Sequence, residues 1–250
     1  MLSIQYRKLG IPYAAYWFAP KPESSHALSL VAYRSCRDVG ERIGFVRQTS
    51  HTKIVDTNQP DDKLFAQFNK TTSYEIRRSQ RDGVRSVLSN DLAAYEAFYN
   101  DFARQKNLPL VTVAQLQRFG DNTQIVTAVV DGLPVAMNIY LVDRSGGRAR
   151  LLRSASSFRG HDSSEARNLI GRANRFAHWE AMKHFREMGF YLYDLGGYAP
   201  STADEEIKRI NQFKDGFGGA LVLEADYVSW PLFAYQHLRG GGRRQSEARD

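Results

Sequence analysis

Apolar residues follow two periods along this chain, and the switch between them marks its architecture. From Gln124 to Val130 and from Leu133 to Val142, β-branched and apolar residues dominate two runs separated by Asp131-Gly132. That dipeptide supplies the positive φ angles of a tight type I′ turn, so the runs predict a hairpin. Arg144-Ser-Gly-Gly147 marks a second turn and Ala149–Ser156 returns as a third strand, giving an antiparallel meander. The period then becomes helical: Ala166, Leu169, Ile170, Ala173, Phe176, Ala177, Ala181, Phe185 and Met188 recur at three- and four-residue steps. Asp162-Ser-Ser-Glu165 has the form of a capping box ahead of that stripe, and Gly189 is placed to end it. Residues 191–195 then predict a strand, 204–213 a short helix and 220–227 a last strand.

Upstream, residues 11–18, 28–34 and 42–48 read as short strands bounded by Pro, Gly and Ser breakers. Residues 58–62 form a turn. Helical spacing begins at Leu64, Phe65 and Phe68, continues through Tyr74 and Ile76, and stops at Asp82-Gly83, with 84–88 leaving as a strand. Residues 91–106 carry Leu92, Tyr95, Phe98, Tyr99 and Phe102 on one helical face. A shorter helix is expected over 113–119. The expected fold is therefore α+β: a meander, then a helix crossover to a parallel strand. This order resembles the GNAT arrangement, in which the meander-to-helix turn holds the donor's phosphates and the sheet splays beside it. The expected organisation is a β-rich N-terminal segment over 1–59, resembling a truncated first half, and a transferase core over 60–228. The 239–250 tail lacks apolar residues and is expected to be disordered.

Composition narrows the setting. A 42% hydrophobic fraction with 12% aromatics fits a globular chain of 250 residues rather than a disordered one. No apolar run approaches the roughly 18 to 20 residues that span a bilayer, and Met1–Lys8 reaches charge too soon for a signal peptide. A cytoplasmic location is expected. Cys36 is the sole cysteine, which excludes an intrachain disulfide and a cysteine metal cluster, and it reads as a small packing residue. The net charge of +7 is uneven. Eight arginines between Arg144 and Arg175 face only Asp162 and Glu165; Lys70, Arg77, Arg78, Arg81 and Arg85 face Glu75 and Asp82. Guanidinium forks match phosphate, so the expected ligand bears phosphate: a coenzyme, a nucleotide sugar, a lipid-linked diphosphate or an RNA. Peripheral contact with a membrane is compatible with the same charge.

Four ordered segments carry a family resemblance: Lys70–Arg85, Ala173–Trp179, Tyr193-Asp-Leu-Gly-Gly197 and Phe213-Lys-Asp-Gly-Phe-Gly-Gly219. Together they resemble the second GNAT-like half of bacterial FemABX-type transferases, over about residues 60–226. That resemblance implies an amine acceptor, and it implies that Lys214, in the Phe-Lys pair, contacts the reacting carbonyl or phosphate. FemABX relatives transfer an amino acid from aminoacyl-tRNA to a peptidoglycan precursor. GNAT relatives associated with polysaccharide synthesis acylate an amino sugar from a thioester. Residues 1–59 are too few for a complete first half, and the coiled-coil arm that some FemABX proteins place on tRNA is not seen.

Acyl transfer to an amine needs the donor held beside the amine, the amine deprotonated and the oxyanion stabilised. Lys214, beside a glycine-rich loop where backbone can approach a ligand, is the candidate oxyanion cation. Asp194, at a strand end before Gly196-Gly197, is the candidate proton acceptor or hydroxyl-positioning group, and Tyr198 the candidate general acid. Arg153, Arg159, Gly160, His161 and Arg167 are candidates for donor phosphates, the turn residues because free N–H groups at a helix start favour anions. Arg77, Arg78, Asn174, His178, Gly196, Gly197 and Phe213 are the acceptor candidates; Asn174 and His178 share a helix face. No metal ligand set is present in the sequence. The leading reading is an N-acyltransferase of cell-envelope polysaccharide assembly, using acyl-CoA or another thioester on an amino sugar or glycan precursor by direct transfer. A tRNA-dependent aminoacyl transferase stands beside it, and a non-catalytic binder of nucleic acid or anionic glycan is the reading from another class.

Overall fold

The computed structural model describes residues 1–8, 10–157 and 163–238. The chain divides into two compact units. The first takes Met1–Thr52, Gly197–Ala199 and the described residues from Leu221 onward; the second takes Lys53–Gly196 and Pro200–Ala220. Among the described residues no helix is long and apolar enough to cross a membrane.

In the first unit, β1 (Leu2–Lys8) pairs antiparallel with β2 (Ile11–Trp17), stacking Tyr6 on its opposite partner Tyr13 at 5.3 Å. Strand β2 runs parallel to β3 (Val31–Cys36), and β3 antiparallel to β10 (Ala220–Ser229), which leads into α7 (Trp230–Leu238). Val31, Tyr33, Cys36, Phe45, Ala225 and Tyr227 form the core. Burial pushes the Cys36 thiol up to about 12, so it packs as an apolar group and is no nucleophile. The pattern in the sequence does not flag three elements. β1 is brief and already charged at Arg7; the middle of β4 (Phe45–Asp56) is a polar run, Arg47-Gln-Thr-Ser-His-Thr-Lys53; α7 is a nine-residue helix with little amphipathic contrast.

The second unit contains the expected meander. β5 (Arg85–Ser89), β6 (Thr123–Val130), β7 (Leu133–Asp143) and β8 (Arg148–Ser156) pair antiparallel in that order. The β6–β7 turn has Asp131 at φ 51° and Gly132 at φ 79°, as its dipeptide requires. After α5 (Ser164–Glu187), β9 (Leu192–Tyr198) joins β8 in parallel. Their pairing lasts only from Arg148 opposite Leu192 to Arg150 opposite Asp194, so the two strands separate beyond that point.

Helices cover both faces of this sheet. On one face α3 (Leu92–Lys106) and α4 (Val113–Leu116) bury Tyr95, Tyr99 and Leu116 against Ile125, Met137 and Ile139. On the other, α5 packs Ala173, Phe176, Ala177, Met182 and Phe185 against Val126, Ala128, Tyr140 and Tyr193. The helical stretch expected over 64–82 is two helices, α1 (Asp61–Ala66) and α2 (Lys70–Arg81), because Asn69 breaks the run and caps α2 by accepting the Thr72 N–H at 2.8 Å. The cap of α5 is Ser163, whose Oγ accepts the Ala166 N–H at 3.0 Å; Asp162 lies outside the described residues, as does the 239–250 tail. Gly189, at φ 86°, ends α5, with the Phe190 N–H returning to the Phe185 carbonyl at 2.8 Å.

Phe185 anchors this core, its ring 4.9 Å from that of Tyr140 and 6.3 Å from that of Tyr193. Replacing it by alanine leaves a ring-sized cavity between helix and sheet. Phe185→Ala is expected to lower the unfolding free energy by about 3–5 kcal/mol in urea titrations, with an unchanged far-UV spectrum before the transition.

Candidate functional site

The site begins where β8 and β9 part. Alternation on β8 puts Arg148 and Arg150 on one face, and the parallel register sets Asp194 beside them. Asp194 Oδ2 accepts from Arg148 Nε at 3.0 Å, from Arg148 Nη2, and from Arg150 Nη1 at 2.8 Å. Its other oxygen accepts the Gly196 N–H at 2.8 Å. Both Arg148 and Asp194 are buried, where a charge is stable only when its hydrogen bonds are met. Gly196 is required here for two reasons: its φ is +76°, and a Cβ would sit 3.0 Å from the Leu151 carbonyl oxygen.

Lys214 joins this cluster from α6 (Glu205–Asp215). That helix links three parts of the unit. In its first turn Glu206 pairs with Lys106 at the end of α3. At its far end the Gly216 carbonyl accepts the Asn69 N–H at 3.0 Å, and Asp215 pairs with Lys53 of β4 at 2.9 Å. Lys214 is only 8% exposed. Burial lowers its ammonium to about 8, opposed by the attraction of Asp194 and assisted by the repulsion of Arg150.

The glycines after Lys214 serve packing within the chain. A Cβ on Gly216 would lie 2.3 Å from Thr72 Oγ1, one on Gly218 3.0 Å from the Gln67 carbonyl oxygen, and one on Gly219 2.4 Å from that of Ile54. Backbone does approach closely here, as the sequence suggests, but what it approaches is α2, the end of α1 and β4. These contacts fix the end of α6 and so fix Lys214.

Tyr193, beside Asp194, points to the opposite face of β9 and enters the α5 layer. Its hydroxyl lies 2.6 Å from both Tyr140 Oη and His178 Nδ1. His178 is fully buried, flanked by the rings of Phe213 and Phe217 at 5.4 Å each. Burial, with the nearby charges of Lys214 and Arg175, pushes it down to about 3, so it is a neutral imidazole. His178 Nε2 has no hydrogen-bond partner.

The expected site residues divide sharply. Asp194, Gly196 and Lys214 are brought together, while Phe213 packs on His178 at 5.4 Å and lies under Arg175 at 4.8 Å. The α5 face bearing Asn174 and His178 is not an open groove: it turns to the sheet, His178 toward Tyr140 and Tyr193 and Asn174 toward Asn138 and Ser154, while the adjoining Arg175 and Arg172 pair with Glu75 at 2.9 Å and Asp82 at 3.0 Å. His178 is therefore interior, and Asn174 accepts from Asn138 Nδ2 at 3.0 Å. Arg153, further along β8, stands over the Tyr99 ring at 5.6 Å. Arg167 is half-buried in the first turns of α5. Gly197 and Tyr198 belong to the first unit. Arg159, Gly160 and His161 lie outside the described residues. Arg77 and Arg78 are on α2. Arg78 pairs with Asp82 at 2.9 Å, while Arg77 lies over the Phe65 ring at 5.0 Å and lines a groove of about 890 Å³ with Lys70, Tyr74, Arg81 and Trp179.

Two residues that sequence reasoning did not single out, Arg148 and Arg150, complete the cluster. Their two-residue spacing on a strand was the available sign; it became specific only when the β8–β9 register placed a carboxylate opposite them. Among the described residues no group of three or more His, Cys, Asp or Glu side chains is placed to hold a metal ion.

No family profile matches the chain, and no curated protein sequence does. Solved structures do match its fold. FemX aligns with a TM-score of 0.67 at 12% identity, over 94% of this chain and 85% of its own. L-PGS from Bacillus licheniformis aligns with a TM-score of 0.57 at 15% identity, over 96% of this chain and 86% of its own. The C-terminal domain of a putative lysylphosphatidylglycerol synthetase from Agrobacterium fabrum gives 0.55 at 14% identity, over 96% and 85%. At such identities the likeness is one of fold. The chain has the fold of FemX, an α+β arrangement in which an antiparallel meander passes through one long helix to a parallel strand.

Proposed function

We propose that this protein is an aminoacyl or acyl transferase that moves the group directly from an activated, phosphate-bearing donor to an amine or hydroxyl of a cell-envelope precursor. The observation that carries the reading is the buried Lys214 ammonium, held beside an Asp194 carboxylate that two arginines and a backbone N–H fix in place. Asp194 has four N–H donors on its two oxygens, which leaves it little capacity to take a proton from an amine. Its role in this reading is to hold Arg148 and Arg150 and to keep Lys214 charged. Lys214 is then the electrostatic catalyst, a preorganised cation placed where the carbonyl oxygen gains charge. The acyl group passes to the acceptor nitrogen or oxygen as the bond to the donor oxygen or sulfur breaks, and the acceptor's proton ends on that leaving atom, which departs as a hydroxyl or thiol. No covalent enzyme intermediate is needed, and the one thiol, Cys36, lies buried in the core of the first unit.

The likeness in fold to FemX and to lysylphosphatidylglycerol synthetases favours an aminoacyl ester, carried by tRNA, as donor. A second reading, an acyl thioester donor and an amino-sugar acceptor, is supported by the parallel β8–β9 pairing that ends after three residue pairs, the splay expected of a GNAT-like donor cleft.

Purified protein offered charged tRNA and acyl-CoA panels with amine acceptors is expected to turn over one donor class; sensitivity to RNase assigns the tRNA form. Lys214→Met keeps the volume and removes the charge. It is expected to lower kcat by about 10²–10³-fold with folding intact. Full activity in Lys214→Met would remove Lys214 from the mechanism, and ligand binding without turnover on either donor would replace the enzyme by the binder.

The acidity of Lys214 adds a second expectation. With its folded value lowered to about 8, the cation is complete below that pH and is lost as pH rises through it. The profile of kcat/KM for free enzyme is expected to fall above about pH 8. Lys214→Arg, whose charge persists, is expected to flatten that alkaline limb whatever its absolute rate. A wild-type profile that stays level well beyond this pH removes Lys214 from the electrostatic role.

A further inference from the structure

The three most exposed large apolar side chains of the first unit share one neighbourhood. Leu28 is 87% exposed, Ile43 92% and Trp230 55%, nearly as open as in an unfolded chain for the first two. Their backbones are locked together. The Trp230 N–H donates to the Gly44 carbonyl at 2.9 Å, and Gly44, at φ +87°, packs so tightly on Ala27 that a Cβ would meet the Ala27 Cβ at 2.4 Å. Ser229 Oγ donates to the Ser29 carbonyl at 2.6 Å and accepts the Val31 N–H at 3.3 Å. Tyr227 Oη donates to the carbonyls of Asp38 at 2.9 Å and Gly40 at 2.5 Å, tying down the loop that carries Ile43. Two turns and the start of α7 are thus stapled at one place, each carrying an apolar residue that its own core does not use.

We propose that Leu28, Ile43 and Trp230 form a membrane-interface anchor that inserts into the headgroup region of an anionic bilayer. Three separate projecting side chains do not make the roughly 800 Å² per partner of a stable protein interface, and a rigid partner would need a matching hollow for each. A fluid bilayer surface adapts to separate points, and tryptophan favours its polar–apolar boundary. Charge agrees with an anionic surface. Arg42 and Arg47 are balanced by Asp38 and Glu41, which leaves Arg37, exposed on the same loop, as the excess positive charge. Few inserted side chains give weak adsorption on their own, so this charge is the second contribution that makes it stable. This inference is independent of the transferase reading.

Trp17 and Trp179 are 3% and 5% exposed, so Trp230 reports the event. Full-length protein is titrated with phosphatidylcholine vesicles with and without phosphatidylglycerol. The expected result is a blue shift and quenching by brominated acyl chains, confined to the phosphatidylglycerol vesicles and weakened by salt. Leu28→Asp with Ile43→Asp, both solvent-facing changes, is expected to weaken vesicle partition about tenfold or more while the circular dichroism spectrum and melting temperature hold. Unchanged Trp230 emission on vesicles overturns the proposal. So does a Trp230 shift that follows protein concentration without lipid, together with a dimer mass in light scattering; that outcome gives the patch to a second copy of the chain.

Discussion

The second unit is organised around one carboxylate. Asp194 accepts from Nε and Nη2 of Arg148 and from Nη1 of Arg150, and its other oxygen accepts the Gly196 N–H. Without it, Arg148 would be a buried guanidinium with its counter-charge gone, a loss of several kcal/mol in buried pairs. The same contact fixes where β9 leaves β8. The strand is held by side-chain bonds at the point where its backbone pairing ends, and Gly196, at positive φ, lets it pass close to the Leu151 carbonyl. Strand geometry and site electrostatics are thus one structural feature.

The long helix shows how far amphipathic reasoning carries. The apolar stripe from Ala166 to Met188 does face the sheet, because three- and four-residue steps return to one side of a helix. Arg167, Asn174, Arg175 and His178 fall outside that stripe, and polarity there suggests solvent. Two neighbours override that inference, a second helix and the sheet itself. Arg172 and Arg175 are the means by which α2 is fastened to α5, while Asn174 bonds Asn138 of the sheet and His178 survives full burial as the neutral partner of Tyr193. Polar residues on a helix face mean either solvent or an ionic seam with another helix, and the helix's own sequence does not separate the two.

Local chemistry was legible and long-range pairing was not. The Asp131-Gly132 turn, the meander and Gly189 are written in residues a few positions apart, and the chain obeys them. Lys214 and Asp194 stand out in sequence because each is next to glycines. What the glycines do is a separate matter: Gly216, Gly218 and Gly219 admit Thr72, Gln67 and Ile54, residues more than a hundred positions away. Arg148 and Arg150 were two among eight arginines until a parallel register chose them. Strand β1 and the polar middle of β4 depend on neighbours that complete their hydrogen bonds, which no short window contains.

Lys214 bears on whether the cluster is structural or functional. A lysine whose ammonium is lowered from 10.5 to about 8 burdens the folded state at neutral pH by roughly 3 kcal/mol, at about 1.4 kcal/mol per pH unit. The burden is largest below pH 8, where the folded chain holds a proton it binds poorly, and it shrinks as pH rises toward the unfolded value. A methionine or leucine would fill the same space without it. Asp194 does not require Lys214 for balance, since Arg148 and Arg150 already satisfy that carboxylate. Stability alone therefore gives no reason for a cation here. The glycine contacts that hold the end of α6 spend further tolerance on keeping it in place. A chain that sustains a costly charge in a fixed position, next to a strand that opens away from its neighbour, is arranged for a charge that arrives from outside the protein.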